Sequence, residues 1–212
     1  MKVLYIESTR PAKSTDTRLL EALPGKIHLL YSIQYKPLAQ TIKTQLGTKI
    51  IAIEQVLGCS KIKPKTETLV LVSTGRFHAI QLAFSSGKEI YVFDGYKLEK
   101  ITKAEIEIEK KKELGKLSLF YNSSSLGLLV SLKPGQNRLN QALKFKKKLE
   151  KKFKHKKFYI FIAETINLAE LENFPITPWI NFACPGLSLD ANNILNYEFL
   201  EKIYFKRKNP LL

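Results

Sequence analysis

Two cysteines, Cys59 and Cys184, are the only thiols among 212 residues, and their surroundings look alike. Cys59 closes EQVLGC, just after the apolar run KIIAIE, and Cys184 closes WINFAC. Runs of this length beside backbone breakers (Gly58 before the first thiol, Pro185 and Gly186 after the second) read as buried strands. Both thiols should then emerge at the carboxyl ends of strands, where open α/β sheets build their binding crevices. A thiolate so placed suits a soft metal or an iron–sulfur centre. Free cysteine also packs readily as a small hydrophobe, and the residues alone leave both readings open. A disulfide is unforced, because the spacing is no framework and a chain with two cysteines and no evident leader reads as intracellular.

Two loops are the next candidates. In SLKPGQNRLN a strand passes into a long helix, and Pro134 with Gly135 predicts a tight entry. Its free backbone N–H groups would face an anion such as a carboxylate at the helix amino terminus. Gln136 and Asn137 would add side-chain bonds and Lys133 a charge; the alternative is an ordinary βα turn with proline near the first helical position. In VSTGRFH, Ser73 and Thr74 read as helix caps before Arg76, Phe77 and His78. His78 is either a proton carrier or a packed ring, while His28 and His155 form no metal set with anything nearby. No nucleophile elbow, P-loop, zinc-protease helix, paired-cysteine motif or dinucleotide fingerprint is present. Chemistry carried by a cofactor therefore fits better than chemistry carried by side chains alone.

The elements that must hold these residues alternate. KVLYIES, KIHLLYS, KIIAIE, TLVLVS and EIYVFD read as strands. Helices are expected from about Asp16 to Leu23, through PLAQTIKTQL and from VSTGRFH into FHAIQLAFS. A charged segment beginning TKAEIEIEKKKEL follows without turn signals, and after it the pattern restarts. LGLLVSL, a long helix from about Gln136 to Phe153, KFYIFIA, a short helix through LAELENF, WINFAC and a last helix near Asn196 to Phe205 complete it. Strands alternating with helices imply mainly parallel sheets with helical crossovers. The expectation is an α/β chain of two three-layer domains, residues 1–101 and residues 102–212, the second opened by a connector helix. No apolar run reaches the roughly 18 residues that span a bilayer, so the chain is expected to be soluble and cytoplasmic.

Net charge is +16 with a pI near 9.7, and lysines crowd KFKKKLEKKFKHKK. Such a balance favours an acidic partner. The bland reading is a solvated helix face, since the interleaved aromatics and arginines of a nucleic-acid surface are missing; nucleic acid is therefore not the expected partner.

Taken together, EQVLGC, VSTGRFHAIQLAFSSGKEIYVFDGY, LGLLVSLKPGQNRLNQALKFKKKLEKK and WINFACPGLSLD with NYEF beyond it resemble, in order and spacing, the diphthamide synthase family. These are the 2-(3-amino-3-carboxypropyl)histidine synthases, and the resemblance is to their second and third domains over nearly the whole chain. It implies α/β domains around a pseudo-threefold centre, each giving one cysteine to a 4Fe–4S cluster whose vacant iron site takes S-adenosylmethionine. The activity implied is a radical transfer of the 3-amino-3-carboxypropyl group to a histidine of elongation factor 2, the first step of diphthamide biosynthesis.

Carried over by motif, the resemblance makes Cys59 and Cys184 cluster ligands. It places the substrate's carboxylate and amino group near Gly135 and Gln136, with Ser131 and Lys133 as weaker contacts. The family's first domain, with its own cysteine, has no counterpart among these residues, so a partner is expected. That partner is either a separate chain carrying the missing domain or a homologous subunit, alongside elongation factor 2 as acceptor. The alternatives are a noncatalytic scaffold or electron-relay subunit of the same complex, and a basic α/β module that binds RNA.

Overall fold

A computed structural model describes residues 4, 6–11, 15–57 and 60–205, leaving aside the side chains of Phe77 and Asp190. The chain divides into two compact units, residues 1–110 and 111–212.

In the first unit, β1 (Ile27–Tyr31), β2 (Ile50–Gln55), β3 (Thr68–Val72), β4 (Ile90–Phe93) and β5 (Leu98–Ile101) form one sheet in the order β2-β1-β3-β4-β5. The first four strands are parallel and β5 runs antiparallel to β4. All five residues of β3 are buried, as expected of a central parallel strand covered on both faces. One face packs on α1 (Arg18–Glu21) and α2 (Lys36–Leu46) through Leu20, Leu38, Ala39 and Ile42. The other packs on α3 (Arg76–Ser86) and the start of α4 (Lys103–Asn122) through Ala79, Leu82, Ala83 and Ile106. The charged segment after β5 is thus a single helix. The edge strand β5 escapes sequence patterning because Glu99 and Lys100, on opposite faces of LEKI, are both exposed.

The second unit repeats the plan. β6 (Ser125–Ser131), β7 (Lys157–Ala163), β8 (Trp179–Asn181) and β9 (Ile194–Asn196) lie in the order β7-β6-β8-β9, all parallel. One face buries Leu117 and Phe120 of α4, Phe145 and Leu149 of α5 (Leu139–Lys152), and Tyr197 and Leu200 of α7 (Tyr197–Tyr204). The opposite face is covered by a short 3-10 turn, Ala169–Asn173, and by α6 (Leu187–Asp190). There Trp179 lies against Gly127 of the neighbouring strand, where an added Cβ would stand 2.2 Å from the indole ring. A side chain at 127 and this indole cannot share the space.

Three expectations need correcting. KVLYIES forms no strand in its described residues; Leu4 and Ile6 are 84% and 83% exposed and no sheet edge takes them up. The long helix starts at Leu139, three residues later than expected, because the loop before it spends its polar groups on turns of its own. The lysine tract is not wholly solvated. Lys156 is buried, and its ammonium donates to Tyr121 O at 2.7 Å and to Ser123 O, satisfying carbonyls near the end of α4. Burial lowers its pKa. Of the inner stripe expected at Leu143, Leu149 and Phe153, Leu149 and Phe153 are buried but Leu143 is 43% exposed; Ala142 and Phe145 take the inward face with Leu149, and Lys144, Lys147, Lys148, Lys151 and Lys152 point outward.

Candidate functional site

The strand order fixes where a site in the second unit must lie. The chain leaves β6 to build β7 on one side, then returns to place β8 on the other. Loops leaving the carboxyl ends of β6 and β8 therefore diverge, which is the place where open α/β sheets build a binding crevice. The loop after β6 carries Lys133, Gly135 and Gln136. The loop after β8 carries Cys184, whose side is exposed. Topology thus brings Cys184, Ser131, Lys133, Gly135 and Gln136 to one edge of one sheet.

On the β6 side, Ser131 is 2% exposed and its hydroxyl donates to Glu164 O at 2.9 Å while accepting Lys133 N–H at 3.1 Å. With its proton given to Glu164 O, Ser131 shapes the loop that carries Lys133. Pro134 and Gly135 then form a turn in which Gln136 N–H donates to Lys133 O at 2.9 Å, with Gly135 at φ 78°. Proline followed by a residue at positive φ is the type II pattern, which favours glycine at the second position. Asn137 Oδ1 takes the N–H of Leu139 at 3.1 Å. The helix N-cap is Arg138, which makes no side-chain cap bond, and in place of the expected helix entry at Gly135 stands a turn that exposes Lys133 and Gly135 and half-buries Gln136.

On the β8 side, the backbone of the cysteine loop is fastened from below. Asn181, 1% exposed, donates to Cys184 O at 2.8 Å and accepts Ala183 N–H at 2.8 Å. Leu187 N–H adds a second bond to Cys184 O at 3.1 Å. Phe182 stacks on Tyr197 with centroids 4.4 Å apart and planes 13° apart. The Tyr197 hydroxyl accepts Gln141 Nε2 at 2.8 Å, and Arg138 reaches Glu198 at 2.9 Å. The end of the SLKPGQNRLN loop, the NYEF segment and the residue two before Cys184 are thereby tied together. Burial, then the Glu198 carboxylate, raises the pKa of Tyr197, so it stays a neutral phenol.

Sequence reasoning missed Asn181, Asn196, Tyr197 and Arg138. The available signal was asparagine at the ends of two apolar strands, since a buried amide requires partners.

In the first unit, Cys59 lies outside the described residues. On either side of it, Leu57 N–H donates to Ser60 Oγ at 2.8 Å and Ser60 N–H to Leu57 O at 2.9 Å. By chain order Cys59 follows β2, the second strand of its sheet, whereas Cys184 follows β8, the third strand of the other. The similarity of their local sequences is therefore not an equivalence of place. The position matching Cys184 in the first unit is the Ser73–Thr74–Gly75 turn after β3. Neither hydroxyl caps α3, whose N-cap is Gly75, and Ser73 N–H bonds Phe93 O at 3.0 Å. His78 is half-buried in the first turn of α3. A cavity of ≈ 370 Å³ opens at this edge beside Tyr35, Leu38, Thr74, Asp94 and Tyr96.

Among the described residues no group of three or more metal-ligating side chains comes together. Cys184 nonetheless suits a cluster ligand, because an exposed thiol on an anchored loop can reach a metal without reorganising its backbone. It would supply one ligand. No described helix is long and apolar enough to cross a membrane.

Residues 1–199 match the family described as diphthamide synthesis protein. The 2-(3-amino-3-carboxypropyl)histidine synthase of Pyrococcus horikoshii is 30% identical over 142 residues, covering 64% of this chain and 40% of that protein. Its namesake from Methanocaldococcus jannaschii is 25% identical over 169 residues, covering 78% and 46%. Crystal structures of Dph2 from Pyrococcus horikoshii, one of them with a 4Fe-4S cluster, superpose with a TM-score of 0.78 at 23% identity. They cover 91% of this chain and 61% or 60% of theirs. The chain thus spans less than half the length of the two curated relatives, and the structural likeness establishes the α/β fold.

Proposed function

The chain belongs to the diphthamide synthesis protein family, and from that premise we propose that it forms part of a 3-amino-3-carboxypropyl transferase acting on a histidine of elongation factor 2. Cys59 and Cys184 would hold a 4Fe–4S cluster together with a thiolate from outside these 212 residues, which we assign to a partner chain or homologous subunit. When bound, such a cluster supplies the electron that cleaves the sulfonium of S-adenosylmethionine on its γ-carbon side. The chain's own residues do the holding. Lys133 and the exposed Gly135 turn would receive the substrate's carboxylate, with Gln136 beside them, on the same sheet edge as Cys184. The lysine face of α5, with Glu150 paired to Lys146 at 2.5 Å, suits an acidic protein partner.

The observation that carries this reading is the exposed Cys184 thiol after the strand at which the sheet order reverses, in a chain of this family. The test is anaerobic preparation of the chain with its co-purifying partners, followed by iron and sulfide counting and by assay of group transfer to elongation factor 2. Cys184→Ala and Cys59→Ala should each lower iron content severalfold and remove transfer activity. Iron content and activity unchanged in both variants would overturn the ligand assignment and leave a noncatalytic scaffold or electron-relay subunit.

A further inference from the structure

The most heavily bonded polar cluster in the second unit lies beneath the cysteine loop. Asn181 ends β8 and Asn196 ends β9, and these positions are paired across the parallel ladder. Asn181 Nδ2 donates to Cys184 O and to Asn196 Oδ1, both at 2.8 Å, and Asn181 Oδ1 accepts Ala183 N–H at 2.8 Å. Asn196 Nδ2 donates to Pro185 O at 3.2 Å and to Ser188 Oγ at 2.7 Å. The Ser188 hydroxyl donates in turn to Pro185 O at 3.1 Å, and the Lys116 ammonium from α4 donates to Ser188 O. Every one of these bonds ends on the segment from Ala183 to Ser188 or links two side chains that do.

Burying one amide and a hydroxyl, and half-burying a second amide, costs free energy unless each is paired. Apolar side chains at two strand ends would hold a sheet together as well, so the placement calls for a reason beyond packing. The bonds converge on the backbone immediately around one exposed thiol, and that is the arrangement by which outer-shell groups fix a metal ligand before the metal arrives. We propose that Asn181 and Asn196 are positioning residues: they clamp the carbonyls of Cys184 and Pro185 so that the Cys184 sulfur is presented in one orientation to a metal centre. The clamp rests on the reading of Cys184 as a cluster ligand.

The test has two independent readouts in the full chain. Hydrogen exchange reports the clamp directly, without any metal. In Asn181→Ala and Asn196→Ala the amides of Ala183, Leu187 and Ser188 should exchange at least tenfold faster, while those of β6 and β7 keep their native rates. The second readout is release of iron to a chelator from the full chain prepared anaerobically with its co-purifying partners, which should be roughly tenfold faster in both variants, within the range that loss of outer-shell partners produces. Loop exchange and iron release within twofold of the unmodified chain would overturn the clamp. Should Asn181→Ala fail to fold, Asn196→Ala, which leaves two of the three Asn181 bonds in place, decides the matter alone. Cys184→Ala separates the two ideas. If it retains iron as the native chain does, the ligand assignment fails, and loop exchange still reports whether the asparagines hold the loop.

Discussion

The two units share a strand order, β2-β1-β3-β4 in one and β7-β6-β8-β9 in the other, yet they use it differently. In the second, the exposed thiol follows the third strand, beside the point where the order reverses. In the first, the equivalent turn carries Ser73 and Thr74, and Cys59 follows the second strand. Shared topology therefore supplies two similar edges without assigning either the same residue. What the second unit adds is an anchored floor beneath its cysteine loop, built from Asn181, Asn196, Ser188 and a buried ion pair on α4.

That ion pair offers the strongest way to break the contrast. Lys116 and Glu113 lie 3.0 Å apart with side chains 5% and 7% exposed, and Lys116 also reaches Ser188 O. Removing one partner of a buried pair strands the other and commonly costs 3 kcal/mol or more. Lys116→Met should lower the unfolding free energy of the second unit by about 3 kcal/mol, measured by urea denaturation, with the first unit's transition unmoved. A loss under about 1 kcal/mol would mean that the pair behaves as a solvated surface bridge and that the loop's floor is softer than the hydrogen bonds imply.

A somewhat smaller effect is expected where the central strand pairs differ. β1 and β3 meet through Leu29 and Val70, whereas β6 and β8 meet through Gly127 and Trp179. A methyl at 127 forces the indole from its seat against Phe161 and Phe174. Gly127→Ala should therefore cost about 2 kcal/mol, and Trp179→Leu in the same chain should recover part of that loss. A neutral Gly127→Ala, or a double variant no better than the single one, would show that the indole relaxes freely.

These particulars also show what the sequence could disclose. β3 and β6 were legible because an apolar run of that length between turn residues has few other fates. α5 was legible as a lysine-rich amphipathic helix, but its inner stripe was only partly so: Leu149 and Phe153 are buried as expected, whereas Leu143 is exposed and Ala142 and Phe145 face inward instead. Cys184 and its Pro-Gly flank were legible as a strand-end thiol. β5 was not, because an edge strand with Glu99 and Lys100 exposed carries too little hydrophobic signal. Neither was the asparagine floor, whose meaning depends on which strand ends lie side by side. That Cys59 follows the second strand of its sheet and Cys184 the third was hidden for the same reason: local sequence reports what precedes a residue, and strand order decides what stands beside it.

The mildest contrast concerns pH. His28 on β1 is 1% exposed, accepts Lys65 N–H on Nδ1 at 3.3 Å and has Glu54 Oε2 3.5 Å from Nε2. Burial lowers its pKa below the ordinary 6.5; the Glu54 carboxylate pulls the other way and Lys65 assists burial. The folded chain therefore favours the neutral ring, and the unfolded chain takes up a proton first as pH falls. The stability His28 contributes is complete above pH 6.5 and declines as acid carries the solution from there toward the lowered folded value. The first unit should weaken over that interval more than the second, and His28→Phe should flatten the difference. Equal slopes in both units, or a slope that persists in His28→Phe, would assign the acid sensitivity to carboxylates instead, whose window lies lower, near the Asp and Glu values of about 4.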